Sequence, residues 1–243
     1  MRSPGCCALF IVCSALAGSV AGAASSTPWP EIPSPPDAKV EWVADSMRVN
    51  GVPMRVMRFT STEARSAVVD YYRSYWSGGY PTRPSVRVAG NQTVVGQAHG
   101  PYYMTVAVKD APQGTSQGLI SVSQVAGSKI ERSPGELPLM PGAKVLQVVE
   151  SNDPGRRSRE VFVRNPQAPA SVMSYYQAAL ADGGWQAVQY TDVPRNGASA
   201  GGSFAVFRRE RSELQLSVAP APGGRGSLLL ADLITKDTGP QRF

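Results

Sequence analysis

The chain has 243 residues and a net charge of +6, with 24 basic residues against 18 acidic ones, and it carries three cysteines and one histidine. With a single histidine, a zinc centre would have to draw on the cysteines, and all three lie within the first 13 residues. The length suits two domains of about 100 residues better than one large core.

Residues 1–23 read as a secretory signal peptide. Arg2 supplies the positive start, Ala8 to Val20 is mostly small and apolar, and Ala21-Gly22-Ala23 fits the small-x-small cleavage rule. The apolar run falls short of the roughly 20 residues a membrane span needs, and Phe10-Ile11-Val12-Cys13 is a poor lipobox. Cleavage near Ala23 would leave an exported chain, periplasmic or secreted, with no integral membrane span. Cys6, Cys7 and Cys13 all precede that point, so thiol catalysis, disulfides and cysteine metal sites are excluded together in the mature chain. An exported chain without cysteine points to a bacterial envelope. There the glycosylation-like Asn91-Gln92-Thr93 has no meaning.

Residues 24–36 form a leader rich in Ser and Pro. It reads as an extended spacer, or as a docking segment anchored by Trp29. A first module is expected over 37–125. Val40 to Val49 and Pro53 to Phe59 flank Asn50-Gly51, a strong hairpin signal. Thr60-Ser61-Thr62-Glu63 reads as a capping box. A helix follows to about Ser77, with Ala64, Ala67, Val68, Tyr71, Tyr72 and Tyr75 as its apolar face and Gly78-Gly79 as its stop. Strands are expected near Val86 to Ala89, Thr93 to Ala98, Tyr102 to Val108 and Leu119 to Val125.

A linker, 126–140, leads to a second module over 141–235. Val145 to Glu150 pairs with Glu160 to Val163. A helix opens at Asn165-Pro166 or Ala168-Pro169, presents Val172, Tyr175, Tyr176, Ala179 and Leu180, and stops at Gly183-Gly184. Strands follow near Trp185 to Tyr190, Phe204 to Arg208, Leu214 to Val218 and Leu228 to Ile234, then a polar tail, 236–243. The landmarks repeat. Pro36 and Pro141 lie 105 residues apart, Tyr71 and Tyr175 104, Gly78 and Gly183 105. The expected fold is therefore α+β: two tandem repeats, each an antiparallel sheet with one packed helix, in the order ββα then a β-meander. Each sheet would keep open edges able to pair with a partner.

No catalytic set stands out. His99 lies in a turn and has no counterpart in the second module. Serine catalysis lacks its nucleophile elbow, and the glycine-rich stretch 196–202 lacks the lysine of a phosphate loop. The carboxylates Glu41, Asp45, Asp70, Glu131 and Glu136 are scattered. Candidate partner-binding residues are an aromatic group, Tyr75, Trp76, Tyr102 and Tyr103, and two arginine clusters. The clusters are Arg156, Arg157 and Arg159, and Arg208, Arg209 and Arg211. Flanking one edge, the clusters would form an anion-facing strip. Nineteen of the 24 basic residues are arginine, an excess that suits anionic partners or serves solubility alone.

Pro141-Gly142-Ala143-Lys144-Val145, Ser171-Val172-Met173-Ser174-Tyr175-Tyr176 and Gly183-Gly184-Trp185 together resemble a module of tandem-repeat bacterial envelope proteins. The first module departs from it at Asp37 and Tyr80. The resemblance implies an exported α+β domain and transfers no catalytic residue or ligand. The expectation is a non-enzymatic exported protein without a cofactor, binding an envelope protein partner and serving as an accessory of an envelope secretion or pilus assembly. An anionic surface is a second possible partner, and nucleic acid is not expected. The alternatives are a binding module for a small apolar or anionic ligand, and a hydrolase using carboxylates or His99.

Overall fold

The computed structural model describes residues 28–153, 155–193 and 201–236. The signal segment and the start of the leader (1–27), residue 154, most of the glycine-rich stretch (194–200) and residues 237–243 lie outside the described residues. β1 (Ala38–Val49) and β2 (Val52–Ser61) form the expected hairpin and lead to α1 (Arg65–Gly79). Then come β3 (Ser85–Ala89), β4 (Gln92–His99), β5 (Tyr102–Asp110) and β6 (Ser116–Gln124). After the linker, β7 (Lys144–Asp153) and β8 (Arg156–Asn165) lead to α2 (Pro169–Asp182), then β9 (Gln186–Val193), β10 (Gly202–Arg209), β11 (Ser212–Pro220) and β12 (Ser227–Lys236).

The expectation of two tandem α+β repeats with a sheet each is overturned. All twelve strands belong to one antiparallel sheet, in the order β3-β4-β5-β6-β2-β1-β7-β8-β12-β11-β10-β9. With two helices against twelve strands among the described residues, the protein is mostly β. The physical reason lies at β1 and β7. Either strand would otherwise expose a row of unpaired N–H and C=O groups, and part of each row is satisfied by the other strand.

Both helices lie on the same face of this sheet. Phe59 of β2 is buried in the core under α1, and alternation puts Pro53 on its side. Pro53 pairs with Arg48, Arg48 with Glu150, and Glu150 with Arg159. Arg159 shares a side with Val161 and Val163, which lie in the core under α2. The first core joins Val68, Tyr72 and Trp76 of α1 to Met104, Val106 and Ile120. The second joins Val172, Tyr176 and Leu180 of α2 to Phe207, Leu216 and Leu229. In both helices the buried stripe is i, i+4, i+8 plus one neighbour, Val69 or Met173. Tyr71, Tyr75 and Tyr175 flank the stripe instead of forming it.

Two segments seal the cores. Ile32 of the leader is buried in the first, Tyr72 donates to the Pro33 carbonyl at 2.7 Å, and Trp29 lies 5.0 Å from Tyr102 and beneath the Arg55 guanidinium. Residues 28–36 thus pack on the first core, as irregular chain and not as a strand. In the second core Leu137 of the linker plays the corresponding part, and Tyr175 donates to the Leu139 carbonyl at 3.0 Å.

Helix ends depart from expectation. α1 starts at Arg65 with Ala64 as an uncapped N-cap, and Thr60 and Ser61 belong to β2. Ser61 Oγ instead accepts from the Glu63 amide and donates to the Pro36 carbonyl. Gly78 and Gly79 are helical and Tyr80 is the C-cap. α2 opens at Pro169, and its C-terminal turn is closed by Gly184 at φ +79°, the left-handed position glycine accepts.

Candidate interaction surface

The two halves of the sheet meet over a short seam. Met47, Arg48 and Val49 pair with Ser151, Glu150 and Val149. Asn50 then clasps the seam three ways. Its amide donates to Val148 O (2.7 Å), its Oδ1 accepts from the Val148 amide (2.9 Å), and its carbonyl accepts from the Glu131 amide (2.8 Å). Gly51, at φ +80°, lets the linker cross the turn, since a Cβ there would stand 2.8 Å from the Lys129 carbonyl. Before the seam β1 breaks register between Trp42 and Ala44 and again between Ala44 and Met47. Bulges of this kind bend a strand. Among the described residues, Ala38 to Ser46 have no strand partner on the side away from β2, and Trp42 there is 59% exposed.

Where the strands part, an open hollow of about 430 Å³ forms. It is lined by Ser46, Met47 and Arg48 of β1, Glu150, Ser151 and Asn152 of β7, Arg157, Ser158 and Arg159 of β8, and Leu233 and Thr235 of β12. Register sets its chemistry. Arg48, Glu150 and Arg159 occupy one row across three strands, and Asn152, Arg157 and Thr235 occupy the next. Arg159 pairs with Glu150 at 2.9 Å, while its Nε is buried without a partner among the described residues. Gly135 of the linker, at φ +65°, makes room for this side chain: a Cβ there would lie 2.7 Å from Arg159 Nη1.

The six arginines singled out from the sequence do share one end of the second half. Lys236 at the end of β12 faces Arg156, Ser212 faces Thr235, and Arg209 faces Ser212. They do not form one strip. Arg157 and Arg159 enter the hollow. Arg208 is paired with Glu213 at 3.0 Å. Arg209 bonds Glu136 at 2.5 Å and the Gly183 carbonyl at 3.1 Å, and lies over the Trp185 ring, so it fastens the linker to the end of α2. Arg156 and Arg211 are exposed at strand ends.

The expected aromatic surface is not formed. Trp76 is fully buried and Tyr102 is 3% exposed, both in the first core. Alternation along β5 turns Tyr103 to the opposite face, where its hydroxyl meets Ser85 Oγ at 3.1 Å. Tyr75 remains exposed on α1, stacked on Tyr71. The aromatic that the β1 surface does present is Trp42.

Acid–base chemistry finds little support. His99 is exposed at the end of β4, edge-on to Tyr80 at 5.2 Å. Glu41 is held at about 2 by its hydrogen bond from Lys39 and then by that from Arg58. Glu160 and Asp232 face each other across β8 and β12 on the side away from the helices. Burial, then the Asp232 charge, raises Glu160, and burial raises Asp232. Neither lines the hollow. Among the described residues no group of three or more His, Cys, Asp and Glu side chains is placed to hold a metal, and no helix is long and apolar enough to cross a membrane.

No protein-family model matches the chain. No curated protein matches it either. Among solved structures, the immunity protein TplEi of T6SS from Pseudomonas aeruginosa complexed with "L" peptide aligns at 13% identity over 85% of this chain and 84% of that chain, with a TM-score of 0.29. The apo form of the same protein aligns at 12% identity over 86% of each chain, also at 0.29. A likeness this slight carries no argument about fold or function.

Proposed function

We propose that this is an exported, non-enzymatic protein that works by binding a protein partner in the bacterial envelope, and that the central hollow with the bare part of β1 is its docking surface. The observation that carries the reading is the parting of the sheet beyond Met47–Ser151, which leaves a concave polar site, with an exposed tryptophan, Trp42, farther along the bare part of the same strand. Exposed aromatic and arginine side chains around a concavity are what protein interfaces favour. A small apolar ligand fits less well. The more enclosed space under the linker, lined by Leu137, Val161, Leu180 and Trp185, holds about 20 Å³, room for a single water. The signal-like segment favours a site of action outside the cytoplasm.

Co-purification tests this. The tagged chain, expressed in its own host, should retain a partner from the envelope fraction, and Trp42→Ala with Asn152→Trp should release it without loss of folding. A partner retained equally by that double variant would place the docking surface elsewhere.

A further inference from the structure

We infer that the central hollow reads acidic side chains of an extended segment of its protein partner. This rests on the hollow being the docking surface and adds the chemistry of what enters it. The floor carries three guanidinium groups, Arg48, Arg157 and Arg159, against one carboxylate, Glu150. Adjacent strands lie about 4.8 Å apart, so Arg48, Glu150 and Arg159 span roughly 10 Å and leave the row net positive. Glu150 is committed to Arg159, and Arg48 Nη1 donates to the Gly51 carbonyl at 3.1 Å, using one of its several N–H groups. The buried Arg159 Nε still lacks an acceptor.

The remaining lining fits a peptide better than the other anions. Guanidinium forks match carboxylates in bidentate fashion. Ser46, Asn152 and Thr235 add short donors and acceptors suited to a peptide backbone. Met47 and Leu233 are the apolar lining residues, too little for a lipid chain or an apolar ligand. The site is concave, so a flat bilayer would meet its rim before its arginines. An extended chain rises about 3.3 Å per residue, which lets two alternate side chains of one segment reach the two rows.

The test is fluorescence anisotropy with a labelled decapeptide of alternating Glu and Thr, and the same peptide with Gln for Glu. The purified protein should bind the Glu peptide, more weakly as salt rises, and bind the Gln peptide at least tenfold less well. Arg48→Gln and Arg157→Gln should each weaken binding about tenfold, with Arg87→Gln on β3 as an unaffected control. Circular dichroism confirms that each variant folds, and Arg157→Lys should recover part of the loss. Equal binding of both peptides, or indifference to both variants, overturns the inference. So does displacement by inorganic phosphate beyond that of chloride at matched ionic strength, which would mark a small-anion site. Equal binding to vesicles containing phosphatidylglycerol would mark a membrane surface and overturn it too. Capture of a partner from a photo-cross-linking residue at Asn152 that Arg157→Gln leaves unchanged would keep the docking surface and remove only the acidic segment.

Discussion

Single hydroxyls separate the two helix cores. Tyr72 and Tyr176 sit at corresponding places in α1 and α2, both fully buried. Tyr72 donates to Pro33, whereas the Tyr176 hydroxyl is buried without a partner among the described residues. Tyr72→Phe should therefore cost about 1 kcal/mol in urea unfolding, while Tyr176→Phe should be neutral or stabilising. Equal costs would contradict this assignment of partners. Asn50→Ala removes the acceptor of the Val148 amide at a residue with φ +50°, and about 1–3 kcal/mol of stability should go with it. The hairpin role of Asn50 was legible from Asn-Gly. Its bonds to Val148 and Glu131, about 98 and 81 positions onward, were not, because nothing local to a turn says what crosses it.

Charge gives a test at the same scale. Glu160 and Asp232 both have raised carboxyl pKa values, so folding favours their protonated forms. For such groups the favourable contribution is present below the ordinary carboxylate range and lost as pH rises through the raised folded values. Glu160→Gln should accordingly raise the urea midpoint at pH 7 and leave it unchanged near pH 3. Glu160 is only partly buried and keeps solvent access, so the gain is small and shrinks with salt. A loss of stability at pH 7 would show that the pair is not repulsive.

At the level of elements, strand positions were largely legible and helix faces only in part. Runs such as Tyr102 to Val108 are β-branched or aromatic and bounded by turn residues. In α1 the tyrosines lie on both sides of the true stripe, and a tyrosine ring suits a half-exposed flank as well as a core. Periodicity therefore placed Tyr71 and Tyr75 on one face with Val68 and Tyr72, and missed Val69 and Trp76. The leader shows the same limit, since its prolines describe an extended chain without saying what it covers. Trp29→Ala should cost about 1–2 kcal/mol through the lost ring and guanidinium contacts. Hydrogen exchange should accelerate in β5 and not in β11. Uniform acceleration across both would mean that the leader does not act on the first core alone.

The whole molecule is a continuous sheet with a core toward either end and a narrow seam between. The repeated landmarks made two helix-covered units readable in the sequence, but not the pairing of β1 with β7. Open edges look alike in sequence whichever partner they find. The hollow follows from that pairing and from the bulges of β1, so its lining could not be assembled in advance; Arg157 and Arg159 were found as a cluster, Arg48 and Trp42 were not. A photo-cross-linking residue at Asn152 or Thr235, compared in living cells with one at Val88 on β3 and one at Val188 on β9, tests the docking surface most directly. The account expects one envelope protein to be captured from the two hollow positions and not from the sheet's outer strands. Capture from Val88 or Val188 alone would contradict it.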